Sequence, residues 1–412
     1  MYKKKMDIQN KNIIVLILIL SMLFMNISTD VVEGKRKWNV ESVGNVEGFG
    51  LDTEISYNDN SLHISYRGGE DDLKYAVWED GSMDTETVDS EGDVGSFGSI
   101  ILDSSGNPHI SYYDYSNGNL KYARMSGGSW NIQIVDSEGD VGLFSSISLD
   151  SDDNPHICYR SWTNKSLKYA KRTGSSWAIE TVDREGDVGV DISMTLDEND
   201  NPHISYFDKT NNSLKYAHNI KNKWNIDTVD KESGVGLYSS IAIDGNGNTH
   251  ISYCDYNKND LKYAMKDEDS WDITTIDSEG KVGSYTSLAL DDESNPYITY
   301  IDTENTKLKY AKSTGNSWDI QKVDIDGYYT GYTSIIVDTN NNPHICCYEV
   351  SNEELKYLKQ QEVDSNNKIT QKLLSFWGLP IIFIIGVIIL LMLIKKRRDK
   401  NKDENSLEQK PR

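Results

Sequence analysis

The tripeptide Leu-Lys-Tyr begins at residues 73, 120, 167, 214, 261, 308 and 355, a constant step of 47 residues. A chain that repeats itself seven times must fold into seven similar units, each burying its apolar face against a neighbour. Copy two shows the pattern within a unit. Four runs with strand composition, Phe97 to Asp103, Pro108 to Asp114, Asn119 to Met125 and Trp130 to Asp136, are separated by Ser-Ser-Gly-Asn, Tyr-Ser-Asn-Gly and Ser-Gly-Gly-Ser. These separators are hairpin-turn chemistry. Ile110 and Tyr112 alternate on one face, as do Leu120 and Tyr122, and the opposite faces hold Ala, Ser and Tyr in place of uniform charge. Both faces of each strand are therefore expected to be covered. The repeats show no helical period.

A four-stranded antiparallel unit of about 45 residues is a propeller blade. The fold class is all-β: a seven-bladed β-propeller of four-stranded antiparallel blades. The ends of the repeat array support this count. Copy seven supplies three strands, Tyr332–Asp338, Pro343–Glu349 and Glu354–Gln360, and stops. Ahead of copy one stands an orphan, Trp38-Asn-Val-Glu-Ser-Val, that matches Trp130-Asn-Ile-Gln-Ile-Val. Docked beside Leu355-Lys-Tyr, it completes the last blade and removes an unpaired edge.

The propeller spans 35–360, and the flanks read differently. Residues 1–11 are basic and Ile13 to Met25 are apolar, the layout of a signal peptide over 1–30 or of an uncleaved anchor. A polar stalk, 361–375, leads to 19 apolar residues, 376–394, the length of a transmembrane helix. Lys395-Lys-Arg-Arg398 follows, so 395–412 is a basic cytoplasmic tail with the propeller outside the cell. The chain's net charge of -23 includes three net positive charges in 1–11 and four in 395–412, which leaves -30 on the part between. Such a surface repels phosphate backbones and excludes a nucleic-acid partner. The four cysteines, Cys158, Cys254, Cys346 and Cys347, lack metal-ligand spacing and replace ordinary strand residues, which makes them small buried side chains.

Pro-His-Ile-Ser-Tyr-Tyr-Asp at 108–114, with Leu-Lys-Tyr-Ala after it, resembles a tandem-repeat class of extracellular β-propellers in archaeal and bacterial surface proteins. The resemblance covers about 38–360 and implies fold and location. A more distant likeness is to sialidase-type propellers. The chain departs from them in having no Ser-x-Asp-x-Gly-x-Thr-Trp box and few arginines in the repeats.

Three constellations stand out. Propeller geometry puts the loop entering each blade and the loop after its second strand on one face. That face collects Asp89, Glu91, Asp93, Asp136, Glu138 and Asp140, oxygen ligands of the kind that suit Ca²⁺, although turn formation explains the same residues. The first strand opens on an aromatic in six copies, Phe49, Phe97, Phe144, Tyr238, Tyr285 and Tyr332, with Asp191 in copy four. These should ring the channel mouth, either as blade packing or as a sugar-stacking surface. Arg160 and Trp162 break the symmetry where copy two has Tyr113 and Tyr115, and mark a distinct pocket. The histidines at 63, 109, 156, 203, 250 and 344 hold one equivalent position on different blades, so a structural role bonded to a turn backbone is expected. No catalytic motif is present. The sequence thus points to a membrane-anchored surface module that recognises an extracellular glycan or protein through its acidic loop face. A propeller glycosidase or lyase acting on polysaccharide, or a structural envelope component, is the alternative.

Overall fold

The computed structural model describes residues 37–45, 53–58, 61–79, 81–267, 270–323 and 327–361. The expected signal segment, stalk, membrane helix and tail lie outside these residues. Seven four-stranded antiparallel sheets are present, six of them built from consecutive strands. Blade 2, for example, consists of Val94–Leu102, Pro108–Asp114, Asn119–Ser126 and Ser129–Asp136. The seventh joins Lys37–Asn45 to the outer edge of Glu354–Gln361, beside Pro343–Glu349 and Tyr329–Val337. The orphan strand therefore closes the ring from the other end of the repeat array.

The core lies in the seams between blades. Each of seven buried apolar clusters draws from two neighbouring blades, including blades 7 and 1, where Leu355 and Tyr357 meet Leu62 and Ile64. This explains why both faces of a strand are covered. In the third strand of blade 2, Leu120 and Tyr122 face the seam with blade 3, while Ala123 faces the seam with blade 1. Burying a leucine side chain in such a seam contributes roughly 2–3 kcal/mol. The outer-strand tryptophans bridge the same seams. Trp130, Trp177, Trp224, Trp271 and Trp318 each set an edge against the third-strand tyrosine of the preceding blade, with ring centroids 5.2–5.3 Å apart. Trp38 does the same to Tyr310 at 5.2 Å, so the closing strand reproduces the contact of a continuous blade.

Two expectations need correction. The first strands of blades 2, 3, 4, 5 and 7 begin three residues earlier than the sequence pattern suggested, as at Val94 in blade 2, and the residue expected to open the strand sits inside a bulge. Phe97, Phe144, Asp191, Tyr238 and Tyr285 hold left-handed backbone with φ of 48–54°, a conformation that costs about 1 kcal/mol or more in a non-glycine residue. The bulge turns a carbonyl toward the next blade, where a hydroxyl donates to it: Ser145 Oγ to Phe97 O at 2.8 Å, Ser239 Oγ to Asp191 O at 3.1 Å and Thr286 Oγ1 to Tyr238 O at 2.7 Å. The histidines do not bond a turn backbone. Their Nδ1 meets the third-strand tyrosine hydroxyl, as in His109–Tyr122 at 2.7 Å, and outside blade 1, where His63 Nε2 meets Ser61 Oγ at 3.0 Å, Nε2 faces an aspartate of the first turn, as in His156–Asp150 at 3.3 Å. Blade 6 carries Tyr297 instead, whose hydroxyl donates to Asp291 at 3.1 Å.

All four cysteines are buried and free. Cys158 stands where other blades pair a second-strand hydroxyl with the next blade, as Ser111 does with Ser145 at 2.9 Å. The residue opposite it is Ile192, packed in the same cluster, so the polar pair has been replaced on both sides.

Candidate functional site

The loop face is held together by backbone bonds between the loop entering a blade and the loop after its second strand. Trp162 N donates to Asp140 O at 2.8 Å, Lys209 N to Asp187 O at 2.9 Å and Tyr256 N to Gly234 O at 2.7 Å. The two loop sets thus share one face, as expected.

Four of the six carboxylates read as calcium ligands, Asp89, Asp93, Asp136 and Asp140, are occupied by protein partners. Asp89 at the end of a fourth strand accepts from Lys121 Nζ at 2.5 Å and Tyr112 OH at 2.7 Å, both on the next blade. Asp136 is held by Lys168 and by Tyr159 OH at 2.6 Å. Asp183, Asp230 and Asp277 repeat the arrangement with Lys215, Lys262 and Lys309. Burial alone would raise Asp89 and Asp136, but the lysine and tyrosine hold both below the ordinary carboxylate range. Asp93 takes Arg67 at 2.8 Å and Asp140 takes Tyr113 OH at 2.7 Å. Glu91 and Glu138 are exposed. Among the described residues no three acids, histidines or cysteines converge on a metal position. Asp89, Asp93, Asp136 and Asp140 thus bond blade to blade, a structural role for four of the six acids. The sequence signal that was missed is the lysine of Leu-Lys-Tyr, since a lysine repeated in a buried strand requires a carboxylate opposite it.

The aromatics do gather at the channel mouth. Phe97 packs on Phe144 with centroids 4.7 Å apart, and Tyr238 on Tyr285 at 4.3 Å. They line a channel cavity of about 250 Å³ together with Asp191 and a ring of serines. The Tyr332 side chain and Phe49 lie outside the described residues. Asp191 is raised to about 6, because burial outweighs the hydrogen bond from Tyr238 N at 2.8 Å.

Arg160 and Trp162 line a second cavity, of about 480 Å³, that reaches across blades 3, 4 and 5. Phe144 borders both cavities. Arg160 is buried, donating from Nη2 to Asp187 Oδ1 at 2.5 Å and from Nη1 to Val188 O at 2.7 Å, and the Trp162 ring lies 5.4 Å from its guanidinium carbon. The same blade-to-blade link is Arg67–Asp93 and Tyr113–Asp140 elsewhere. In blade 4 it is absent on both sides, since Phe207 replaces the donor and Gly234 replaces the acid. Phe207 and Gly234 are part of the cavity wall. Sequence reasoning found Arg160 and Trp162 by their departure from the repeat. It missed Phe207 and Gly234, whose loss is legible only once the two are known to face each other.

No family model and no curated protein matches this sequence. Solved structures do resemble it. An ulvan lyase, from a new family of polysaccharide lyases, is 12% identical with a TM-score of 0.51, over 79% of this chain and 94% of that one. A Hadza microbial sialidase is 12% identical with a TM-score of 0.47, covering 74% and 76% of the two chains. The fucose-binding lectin of Aleuria aurantia is 14% identical with a TM-score of 0.44, covering 64% and 90%. At these identities the likeness shows the fold alone.

Proposed function

We propose that this chain is a cell-surface recognition module that binds extracellular glycan through the loop face of its propeller. One observation carries the reading: large rings are exposed on that face. Tyr115, Trp162 and Tyr256 each follow a second strand, and Tyr328 sits in a loop entering a blade; they are 54–66% exposed. Most other tyrosines of the repeats are buried in seams. Exposed rings beside amides and charges suit sugar rings, which present apolar C–H faces and hydroxyl edges. Trp162 and Tyr256 also wall the larger cavity. Location outside the cell and anchoring by 376–394 are supported by the two apolar segments and the basic cluster after the second, and by the resemblance to surface-protein propellers.

A glycan array probed with the full-length protein tests the reading. Binding that Trp162→Ala and Tyr256→Ala reduce at least tenfold is the expected result. No binding to any glycan, with specific capture of a protein instead, would overturn it. A second reading, a propeller enzyme acting on polysaccharide, draws support from Asp191, an acid raised to about 6 in a cavity that Glu54 also lines. Release of new saccharide ends that stops in Asp191→Asn would favour it.

A further inference from the structure

The larger cavity differs in charge from the face around it. The stretch from 12 to 394 carries thirty net negative charges, yet no residue lining this cavity is acidic. Its charged members are Arg160 and Lys209. Asp187, just behind, is already engaged by cations. Arg160 contacts it at 2.5 Å and Lys165 at 4.0 Å. Burial would raise Asp187, but Arg160, Lys209 and Lys165 together lower it. The wall of the cavity therefore presents Arg160 and Lys209 as its charged groups, with Asp187 behind them already engaged by cations. Buried Arg160 has a further donor to offer, since its Nε–H has no hydrogen-bond partner among the described residues. A buried guanidinium N–H left without an acceptor is costly, and this one belongs to a side chain that lines the cavity. Asn212 and Asn257 add amides at the rim, and Trp162 and Tyr256 add ring faces.

Building on the glycan reading above, we propose that this cavity holds a sugar residue bearing one carboxylate, with the acid directed to Arg160 and Lys209 and the sugar ring against Trp162 or Tyr256. The surrounding charge narrows the ligand further. Charges more than about 8 Å apart are largely screened at physiological salt, so the two cations of the wall govern a single carboxylate. A polyuronate would have to lay its other charges along the acidic face. The ligand is therefore an acidic residue that is terminal or flanked by neutral sugars. A uronic acid and a sialic acid share this chemistry.

The test uses the full-length protein and two probes, aldotetraouronic acid and sialyllactose, each beside its carboxyl-reduced counterpart and beside tetragalacturonate. Binding is measured by calorimetry. The expected result is that one acidic probe binds at least tenfold more tightly than its reduced form and more tightly than tetragalacturonate. Which probe binds distinguishes a uronic from a sialic source. Lys209→Glu, an exposed substitution, should abolish the preference for the acid with an unchanged melting temperature. Trp162→Ala should weaken both forms. Equal binding of acidic and reduced probes that is sensitive to Trp162→Ala would overturn the acidic-sugar assignment and leave the glycan reading standing. Binding of neither, in a protein that also gives no signal on the array, would overturn both.

Discussion

Lys168→Met tests how the blades are bonded. Lys168 and Asp136 are buried, on different blades, and the methionine keeps the length of the stem while removing the charge. Breaking a buried ion pair from one side costs about 3–5 kcal/mol, because the remaining charge is left uncompensated. Asp136 would retain Tyr159 OH at 2.6 Å and the Glu138 backbone N–H at 3.0 Å, so the lower end, about 3 kcal/mol, is expected. For a domain of this size that corresponds to a Tm lowered on the order of 5 °C. Asp136→Asn with Lys168→Met together should recover most of the loss. The pH dependence gives an independent check. In the native protein Asp136 lies below its unfolded value, so its contribution is present above that value and is lost as pH falls through the folded one. Without Lys168 the hydrogen bond and charge that lower Asp136 are gone, so Asp136 rises relative to the native protein. The variant's deficit is then full at pH 8 and shrinks as pH falls toward 5. Urea unfolding of native, single and double variants at both pH values measures this. A single-variant loss under about 1 kcal/mol, or a deficit independent of pH, would refute the reasoning.

Closure predicts that Trp38→Ala and Trp177→Ala lower the free energy of urea unfolding by similar amounts, about 2–3 kcal/mol each, since both rings make the same edge contact; a silent Trp38→Ala would mean the ring is not sealed there. Burial lowers His109 and His156 to about 4 from an ordinary 6.5. The unfolded chain therefore takes up these protons first, and stability falls as pH drops from 6.5 toward 4, by about 3 kcal/mol per histidine. His156→Tyr copies the Tyr297 arrangement of blade 6 and should flatten that part of the pH–stability profile. Gly236 has φ +108° and an added Cβ would lie 2.7 Å from Leu214 Cα, so Gly236→Ala should cost more than about 1 kcal/mol by the same urea assay.

The sequence alone determined the architecture, because repetition is a one-dimensional property. Seven Leu-Lys-Tyr steps, three strands left at one end and an orphan Trp38 strand at the other fix blade number and closure without any distance being known. The odd residues Arg160 and Trp162 were visible for the same reason, as breaks in a pattern. What each repeated residue touches was decided by the tertiary structure. Alternate side chains of one strand enter different seams, so the partner of Lys121 is Asp89, on the previous blade and 32 residues back, and four of the six acids that looked like ligands are ties between blades. Phe207 and Gly234 likewise both wall the larger cavity, two unremarkable residues whose shared loss of a polar link is legible only because the ring sets them face to face.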